Sequence, residues 1–285
     1  MSAEVMSGKE LAAEIRAEAT ERAAQLTAEG TTPKLVVVTA TDDEGSAWYV
    51  SSIKKAAEKT GIVCEVRDLG PDTPAKTITA ELDILAKDGT VHGVILQTPL
   101  PKGVSAPAMA GHIALRQDVD GANPLSLGNL VSGEWAFPPA TAEAVVRLLK
   151  YHGFKLEGMR AAVVGRSTVV GKPLAHLLLN ENATVTIAHS RTLGLPEVTR
   201  SAQIVVAAVG RIGLITSEFI SPGAIVIDVG TNQDADGNLV GDVDAVSAAQ
   251  VAAGLSPVPG GVGPVTTALL LAHVVTSAEA HHASR

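Results

Sequence analysis

A short aliphatic run at 161–164 ends in Gly165-Arg166-Ser167-Thr168-Val169-Val170-Gly171, and Pro173 follows where a helix would take its first residue. Strand, glycine-bearing turn and helix N-terminus make an anion cradle. Glycine lets a phosphate approach the backbone, and the helix start offers N–H groups and a positive partial charge. The spacing is not Gly-x-Gly-x-x-Gly, so a turn that merely needs two glycines stays open as the alternative. The next strand-like run, 184–187, leads into Ala188-His189-Ser190-Arg191. In NAD-binding chains an acid about 20 residues past the glycines takes the ribose hydroxyls. No acid stands there in this sequence. Arg166, Ser190 and Arg191 can instead surround the extra phosphate of NADP, because guanidinium groups match phosphate geometry; a solvated loop charge at Arg191 is the alternative. Gly165, Arg166, Ser167, Gly171, His189, Ser190, Arg191 and Thr231 are therefore the candidate cofactor set.

A second group lies in a Pro- and Gly-rich stretch between Gln97 and Pro139, which contains Thr98-Pro99-Leu100-Pro101 and Asp118-Val119-Asp120-Gly121-Ala122-Asn123-Pro124. Long irregular segments inside a compact protein are usually functional. Gln97 closes a buried-strand run, where a polar side chain points to a site more often than to packing. Asp228 also ends a strand run, just before Gly230, and a structural hydrogen bond is the expected account of it.

These residues need a scaffold, and the pattern supplies one. Ser7 with Glu10 reads as a capping box, followed by a helical stripe of Leu11, Ile15, Ala19 and Leu26. Strands are expected at 35–38, 62–66 and 91–96, with helices from about Ser46 to before Gly61, a left-handed C-cap, and over 77–87. A second series has strands at 161–164, 184–187, 204–209 and 225–229. The βαβ rhythm implies an α/β fold with parallel sheets. Two domains are expected: 1–122 together with a final helix, 266–285, and 123–265 between them.

Hydrophobic residues make up 46% of the 285 positions but aromatic ones only 2%, a usage suited to parallel sheets filled by Ala, Val, Ile and Leu. The net charge of -8 argues against nucleic-acid or anionic-membrane binding. Cys64 is the only cysteine, so a buried structural thiol in a reducing compartment is expected. No signal peptide and no apolar run of about 20 residues is apparent, giving a soluble, cytoplasmic protein. His281-His282 is read as a frayed end and not as a metal site.

Several stretches together resemble one family, the methylenetetrahydrofolate dehydrogenase/cyclohydrolases. They are Ser46-Ala47-Trp48-Tyr49-Val50, Gln97-Thr98-Pro99-Leu100-Pro101, Asp118-Val119-Asp120-Gly121, Gly165-Arg166-Ser167, His189-Ser190-Arg191-Thr192 and Pro259-Gly260-Gly261-Val262-Gly263-Pro264. Their order holds over nearly the whole chain. The resemblance implies an N-terminal catalytic domain, a Rossmann-like NADP-binding domain, a homodimer, and hydride transfer from methylenetetrahydrofolate to NADP. Many such enzymes then hydrolyse the methenyl product. The resemblance further implies that Tyr49 stacks on folate, that Gln97 is the active-site glutamine and that Asp120 holds the pterin. Arg166 and Ser190 would bind the NADP phosphate, and Pro259, Gly260 and Gly261 would line the cleft, with Pro99 and Leu100 also on the substrate. On the residues alone, Tyr49 can equally be a core aromatic and Asp120 a turn-forming residue before Gly121.

One position departs. The family pattern has a lysine four residues after the tyrosine, where it serves the hydrolysis, and this sequence has Ile53. Lys54 and Lys55 follow, but rotated by about 100° and 200° around the helix. Isoleucine carries no proton, so the cyclohydrolase step is expected to be absent or reduced while the dehydrogenase survives. Rescue by Lys54 or another group, giving the full bifunctional enzyme, and an idle NADP-binding scaffold or sensor are the alternatives.

Overall fold

A computed structural model of the chain describes residues 3–284. In chain order its elements begin with β1 (Glu4–Val5), α1 (Lys9–Ala28), β2 (Lys34–Thr39), α2 (Glu44–Lys59), β3 (Val63–Asp68), α3 (Ala75–Lys87) and β4 (Gly93–Leu96). Helices α4 (Ala106–Ala110), α5 (Pro124–Ser132) and α6 (Ala140–Tyr151) follow. Then come β5 (Arg160–Val164), α7 (Gly171–Asn180), β6 (Thr184–Ala188), α8 (Leu195–Arg200), β7 (Ile204–Ala207) and β8 (Ile225–Asp228). The hairpin β9 (Asn232–Gln233) and β10 (Leu239–Val240), α9 (Ala245–Ala248), β11 (Gly254–Leu255) and α10 (Val262–Ala283) complete the chain.

The chain divides into two compact units. One contains Ala13–Ala140 and the chain from Thr267 onward; the other contains the segment up to Ala12 and Thr141–Thr266. This differs from the boundary expected near residue 123 in two ways. Helix α5 and Phe137 stay with the first unit, where Phe137 joins the apolar cluster around β2 and α10. The N-terminal segment belongs to the second unit because β1 pairs in parallel with β11.

In the first unit β2 lies between β3 and β4, all parallel. Alternation along β2 divides its side chains between two cores. Leu35 and Val37 pack with Val50, Ile53 and Ala57 of α2 and with α10. Val36 and Val38 pack with Ile78, Leu82 and Leu85 of α3. The second unit has a sheet of order β1-β11-β8-β7-β5-β6, parallel throughout, with the β9–β10 hairpin apart from it. Successive crossovers leave β5 toward β6 on one side and β7 on the other. That reversal opens a crevice at the carboxyl ends of the strands.

Several local expectations change. Ser7 does cap α1, but its Oγ accepts from Lys9 N–H (3.2 Å), so no reciprocal box with Glu10 is formed. Pro173 is the third residue of α7, not the first. Cys64 is half-buried on an exposed strand, and burial still pushes its thiol up to about 11. Helix α10 starts at Val262, ahead of Thr266, and is long and apolar enough by composition to cross a membrane, contrary to the expectation from apolar runs; most of it is buried in the protein. Its end is not frayed: His282 Nδ1 pairs with Thr31 Oγ1 (2.8 Å), and the His281 ring meets His92 edge-on at 5.5 Å.

Two buried carboxylates tie down the loops at the strand ends of the second unit. Asp228 accepts from the N–H groups of Gly230 (2.8 Å), Asp242 (2.9 Å) and Val243 (2.9 Å). Asp242 accepts from Val209 (2.6 Å), Gly210 (3.0 Å) and Arg211 (2.8 Å). The structural role expected for Asp228 is therefore its role. Burial raises the Asp228 pKa, and the three backbone donors oppose that rise. Removing the carboxylate strands three buried N–H groups at about 1 kcal/mol or more each. Asp228→Ala should lower unfolding stability by about 3 kcal/mol, read as a lower urea midpoint at constant m; a loss under about 0.5 kcal/mol would show that the staple is dispensable.

Candidate active site

The cofactor residues stand where β5 and β6 end side by side. The two strands pair in register, Val164 against Ala188, so Arg166 and Ser190 each follow two residues past the same level. Gly165 has φ +131°, and a Cβ on it would lie 2.1 Å from the Ala208 carbonyl oxygen of the loop after β7. A Cβ on Gly171 would lie 2.2 Å from the Gly165 oxygen. Both glycines are thus required by backbone contact, and that contact brings the loop back onto the first turn of α7. Ser167 closes the turn: its Oγ accepts from Val170 N–H (3.1 Å) and Gly171 N–H (3.4 Å).

Arg166, Ser190 and Arg191 are exposed. His189 is half-buried and committed to its own turn, with its ring Nδ1 accepting from Arg191 N–H (3.1 Å) and its N–H donating to Thr192 Oγ1 (2.9 Å). It shapes the loop after β6 from within. Thr231 is exposed just past Gly230, at the carboxyl end of β8. The pair of glycines, the helix start, and two arginines with a serine where an acid would exclude phosphate fit a 2′-phosphorylated dinucleotide.

In the other unit Gln97 follows β4, its N–H donating to Val38 O (2.9 Å). Its Nε2 donates to the Thr98 carbonyl (2.7 Å) and to Ser46 Oγ (3.4 Å), and Ser46 Oγ donates to the same carbonyl (3.0 Å). Among the described residues nothing donates to Gln97 Oε1, which is left as an acceptor for a ligand. Ser46 comes to this place because Asp43 caps α2, its Oδ2 accepting from Ser46 N–H (2.7 Å). Tyr49, one turn further on, is half-buried against the apolar cluster. Burial, with the Asp120 charge added, raises its phenol far above its ordinary pKa.

The two aspartates of Asp118-Val119-Asp120-Gly121 divide the labour. Asp118 is buried and accepts from Ala122 N–H (2.9 Å), Asn123 N–H (2.9 Å) and Ser126 Oγ (2.5 Å). It builds the loop. Gly121, at φ +61°, passes so close to Phe137 and Pro139 that a Cβ would lie 2.5 Å from Pro139 N. Asp120 is half-buried, and no described residue donates a hydrogen bond to it. Desolvation and the neighbouring Asp118 charge push its carboxyl up to about 7, against the opposing pull of His273.

His273 is a residue that sequence reasoning missed. It lies on α10, its Nδ1 donating to the Val119 carbonyl (2.7 Å) and its ring stacked on Phe137 at 4.7 Å. A lone histidine in the apolar run of α10 was the available signal. Ser46 was the other omission, legible only as part of its motif.

Not every expected residue joins these groups. Leu100 packs into the α3 core, while Pro99 is exposed after a cis bond. Pro259, Gly260 and Gly261 belong to the unit that carries Arg166 and Ser190, not to the unit of Tyr49, Gln97 and Asp120. There Gly260 O accepts from Gly8 N–H (2.9 Å). Ile53 is 1% exposed, inside the α2 core. Lys54 lies on another face of α2, lining a cavity of about 320 Å³ with Thr39, Ser46, Ser51, Val66 and Asp68.

Comparison with known proteins gives the family of both units. Residues 6–120 match the tetrahydrofolate dehydrogenase/cyclohydrolase catalytic domain, and residues 139–282 match the NAD(P)-binding domain of the same family. The bifunctional protein FolD of Nocardia farcinica is 56% identical over 97% of this chain and 98% of its own length. FolD 1 of Saccharopolyspora erythraea is 57% identical over 96% and 93%. Among solved structures, the Campylobacter jejuni bifunctional FolD dehydrogenase/cyclohydrolase matches with a TM-score of 0.94 at 37% identity, covering 97% of this chain and 98% of that one. The Trypanosoma brucei FolD complexed with NADP and an inhibitor matches at 0.93 and 35%, covering 100% and 99%. The chain belongs to the tetrahydrofolate dehydrogenase/cyclohydrolase family.

Proposed function

We propose that this protein is an NADP-dependent methylenetetrahydrofolate dehydrogenase in which hydrolysis of the methenyl product is impaired. The observation that carries the substrate half is Asp120, a half-buried carboxylate without donors of its own, set beside Tyr49. A pterin presents adjacent amino and ring N–H groups that such a carboxylate can bind in pairs. Tyr49 offers a ring face for stacking, and Gln97 Oε1 turns the negative end of an amide dipole toward a centre that becomes cationic.

NADP, when bound, supplies the hydride acceptor. Arg166 and Ser190, with Arg191, would hold its 2′-phosphate, and Gly165 and Gly171 would admit its diphosphate to the start of α7. Hydride transfer needs alignment and no general acid or base, so these residues suffice for oxidation. The FolD resemblance also supports a homodimer. The lone cysteine fits a cytoplasmic setting, where thiols stay reduced.

In the family pattern a lysine serves the hydrolysis at the position of Ile53, and general acid–base catalysis is typically worth about 10²–10⁴-fold. The bifunctional reading has two supports: relatives more than half identical are named bifunctional, and Lys54 shares a cavity with Ser46, whose hydroxyl accepts from Gln97. Assaying the two half-reactions side by side separates them. The expectation is NADP reduction with methenyltetrahydrofolate accumulating, and hydrolysis gained in Ile53→Lys. Methenyl hydrolysis well above the buffer rate, and lost in Lys54→Ala, would establish the bifunctional reading instead.

Two further outcomes follow from the same assignment. Arg166→Ala should raise KM for NADP about tenfold or more while leaving KM for NAD nearly unchanged, since one charge-assisted contact is worth about 1.5–3 kcal/mol. Equal effects on both cofactors would remove Arg166 from the 2′-phosphate. Because Asp120 is raised from its ordinary value to about 7, its ionised, pterin-binding form is lost as pH falls below that value. The folate kcat/KM should then drop about tenfold per pH unit below 7, and Asp120→Asn should abolish that limb. A flat profile in the parent protein between about pH 5 and 8 would refute the assignment.

A further inference from the structure

Asp120 is the one residue between two fixed points of its loop. On one side Gly121 runs against Phe137 and Pro139, where a Cβ would lie 2.5 Å from Pro139 N. On the other side the Val119 carbonyl accepts from His273 Nδ1 (2.7 Å), and among the described residues no other group donates to it. A carbonyl can only accept, so Nδ1 carries a proton in either charge state of the ring. The helix that brings His273 is itself seated on this loop. One turn further along the same face of α10, Ser277 Oγ donates to the Arg116 carbonyl (2.6 Å). Gly93 of β4 makes the approach possible: a Cβ there would lie 2.8 Å from Val274 and 3.1 Å from Val119. The His273 ring is held in turn, stacked on Phe137 with centroids 4.7 Å apart and planes inclined by 29°.

We propose that His273 is a positioning residue for folate binding, acting on Asp120 through the Val119 peptide it holds and through the charge its ring carries when protonated. The proposal rests on the assignment of Asp120 to the pterin. Val119 is wholly buried, so without His273 its carbonyl would be left dry and unpaired. A buried peptide in that state turns to find another donor. Any such turn carries Asp120, the next residue, with it.

Charge adds a second effect. The titratable groups facing the ring are Asp118 and Asp120. Residues 136–139 and β4 bring none, and Glu279, the next along α10, is paired with Arg22 (2.5 Å). Asp118 is committed to Ala122, Asn123 and Ser126, which leaves Asp120 as the carboxylate whose ligand a protonated ring can influence. Desolvation and the Asp118 charge raise the Asp120 carboxyl, and His273 works against both. Removing the charge of the ring therefore moves the loss of ionised Asp120 to higher pH.

The test compares His273→Leu, which keeps apolar volume and loses the donor, with His273→Asn, whose amide can replace the Nδ1 donor without a charge. Both are assayed as the full chain with methylenetetrahydrofolate and NADP, alongside Asp120→Asn. His273→Leu should raise the folate KM about fivefold or more, as loss of one hydrogen bond allows, while the NADP KM stays within about twofold of the parent value. His273→Asn should recover most of the folate KM at about pH 8.5, where Asp120 is ionised. The acid limb of its folate kcat/KM should lie at higher pH than in the parent. A folate KM unchanged in His273→Leu, where Asp120→Asn raises it, would overturn this inference alone. So would a loss in His273→Leu shared equally by folate and NADP, the mark of a merely structural role. If His273→Leu does not fold, the limb of His273→Asn decides: displacement upward supports the inference, and coincidence with the parent overturns it. A folate KM unchanged in Asp120→Asn would overturn the Asp120 assignment and this inference with it.

Discussion

The two larger sheets are each built around parallel strands buried on both faces, and that constraint decides where chemistry can occur. β7 and β8 are buried along their whole length, and β5 and β2 are buried in all but their first residue. Their side chains are spent on the two cores, so polar groups from these strands can meet a ligand only past their ends. Gln97 after β4, Arg166 after β5, Ser190 after β6 and Thr231 after β8 all obey this rule. The reversal of winding occurs once in each unit, at β2 and at β5, and the polar residues gather at the carboxyl ends there.

Holding open backbone in place at those ends requires internal acceptors, and aspartates provide them. Asp118, Asp228 and Asp242 each accept several hydrogen bonds, mostly from backbone N–H groups of the loops. A buried carboxylate is costly unless it is satisfied, and these are. Asp120 differs in that described residues offer it no donor, although it lies two residues from the satisfied Asp118. The contrast turns a repeated residue type into two functions. One aspartate organises the loop, and its neighbour, left with unused acceptor capacity and a raised pKa, is available to a ligand with N–H groups.

Much of this was legible in the sequence, and the failures have physical causes. Strands and helices were readable because period-2 and period-3.6 patterns are local, and the glycine–arginine–serine turn announced itself by following an aliphatic run. The unit boundary was not readable, since Phe137 remains with the first core and β1 joins the second sheet through pairing over about 250 residues of sequence separation, which leaves no local trace. The capping box at Ser7 failed for a similar reason: Gly8 is held against Gly260 and Gly261 by backbone contact, and that fixes how α1 begins. His273 escaped notice because its importance lies in the Val119 carbonyl and the Phe137 ring, both distant in sequence.

Ile53 shows how one position can serve stability and chemistry in opposite directions. It is almost wholly enclosed among Val50, Ala57 and the apolar cluster of α10, so isoleucine adds roughly 2 kcal/mol of side-chain burial there. A lysine at the same Cα would have to snorkel toward Tyr49 or lose its charge, because desolvation lowers an amine's pKa. A poised, partly neutral amine is what proton transfer requires, and it is the form that burial favours at a cost in stability. Isoleucine at this position therefore favours the packed core over a titratable group. Tyr49, one turn before Ile53, only packs against the edge of that core, and Asp120 and Gln97 are not among its members, so their polar groups are spared this conflict.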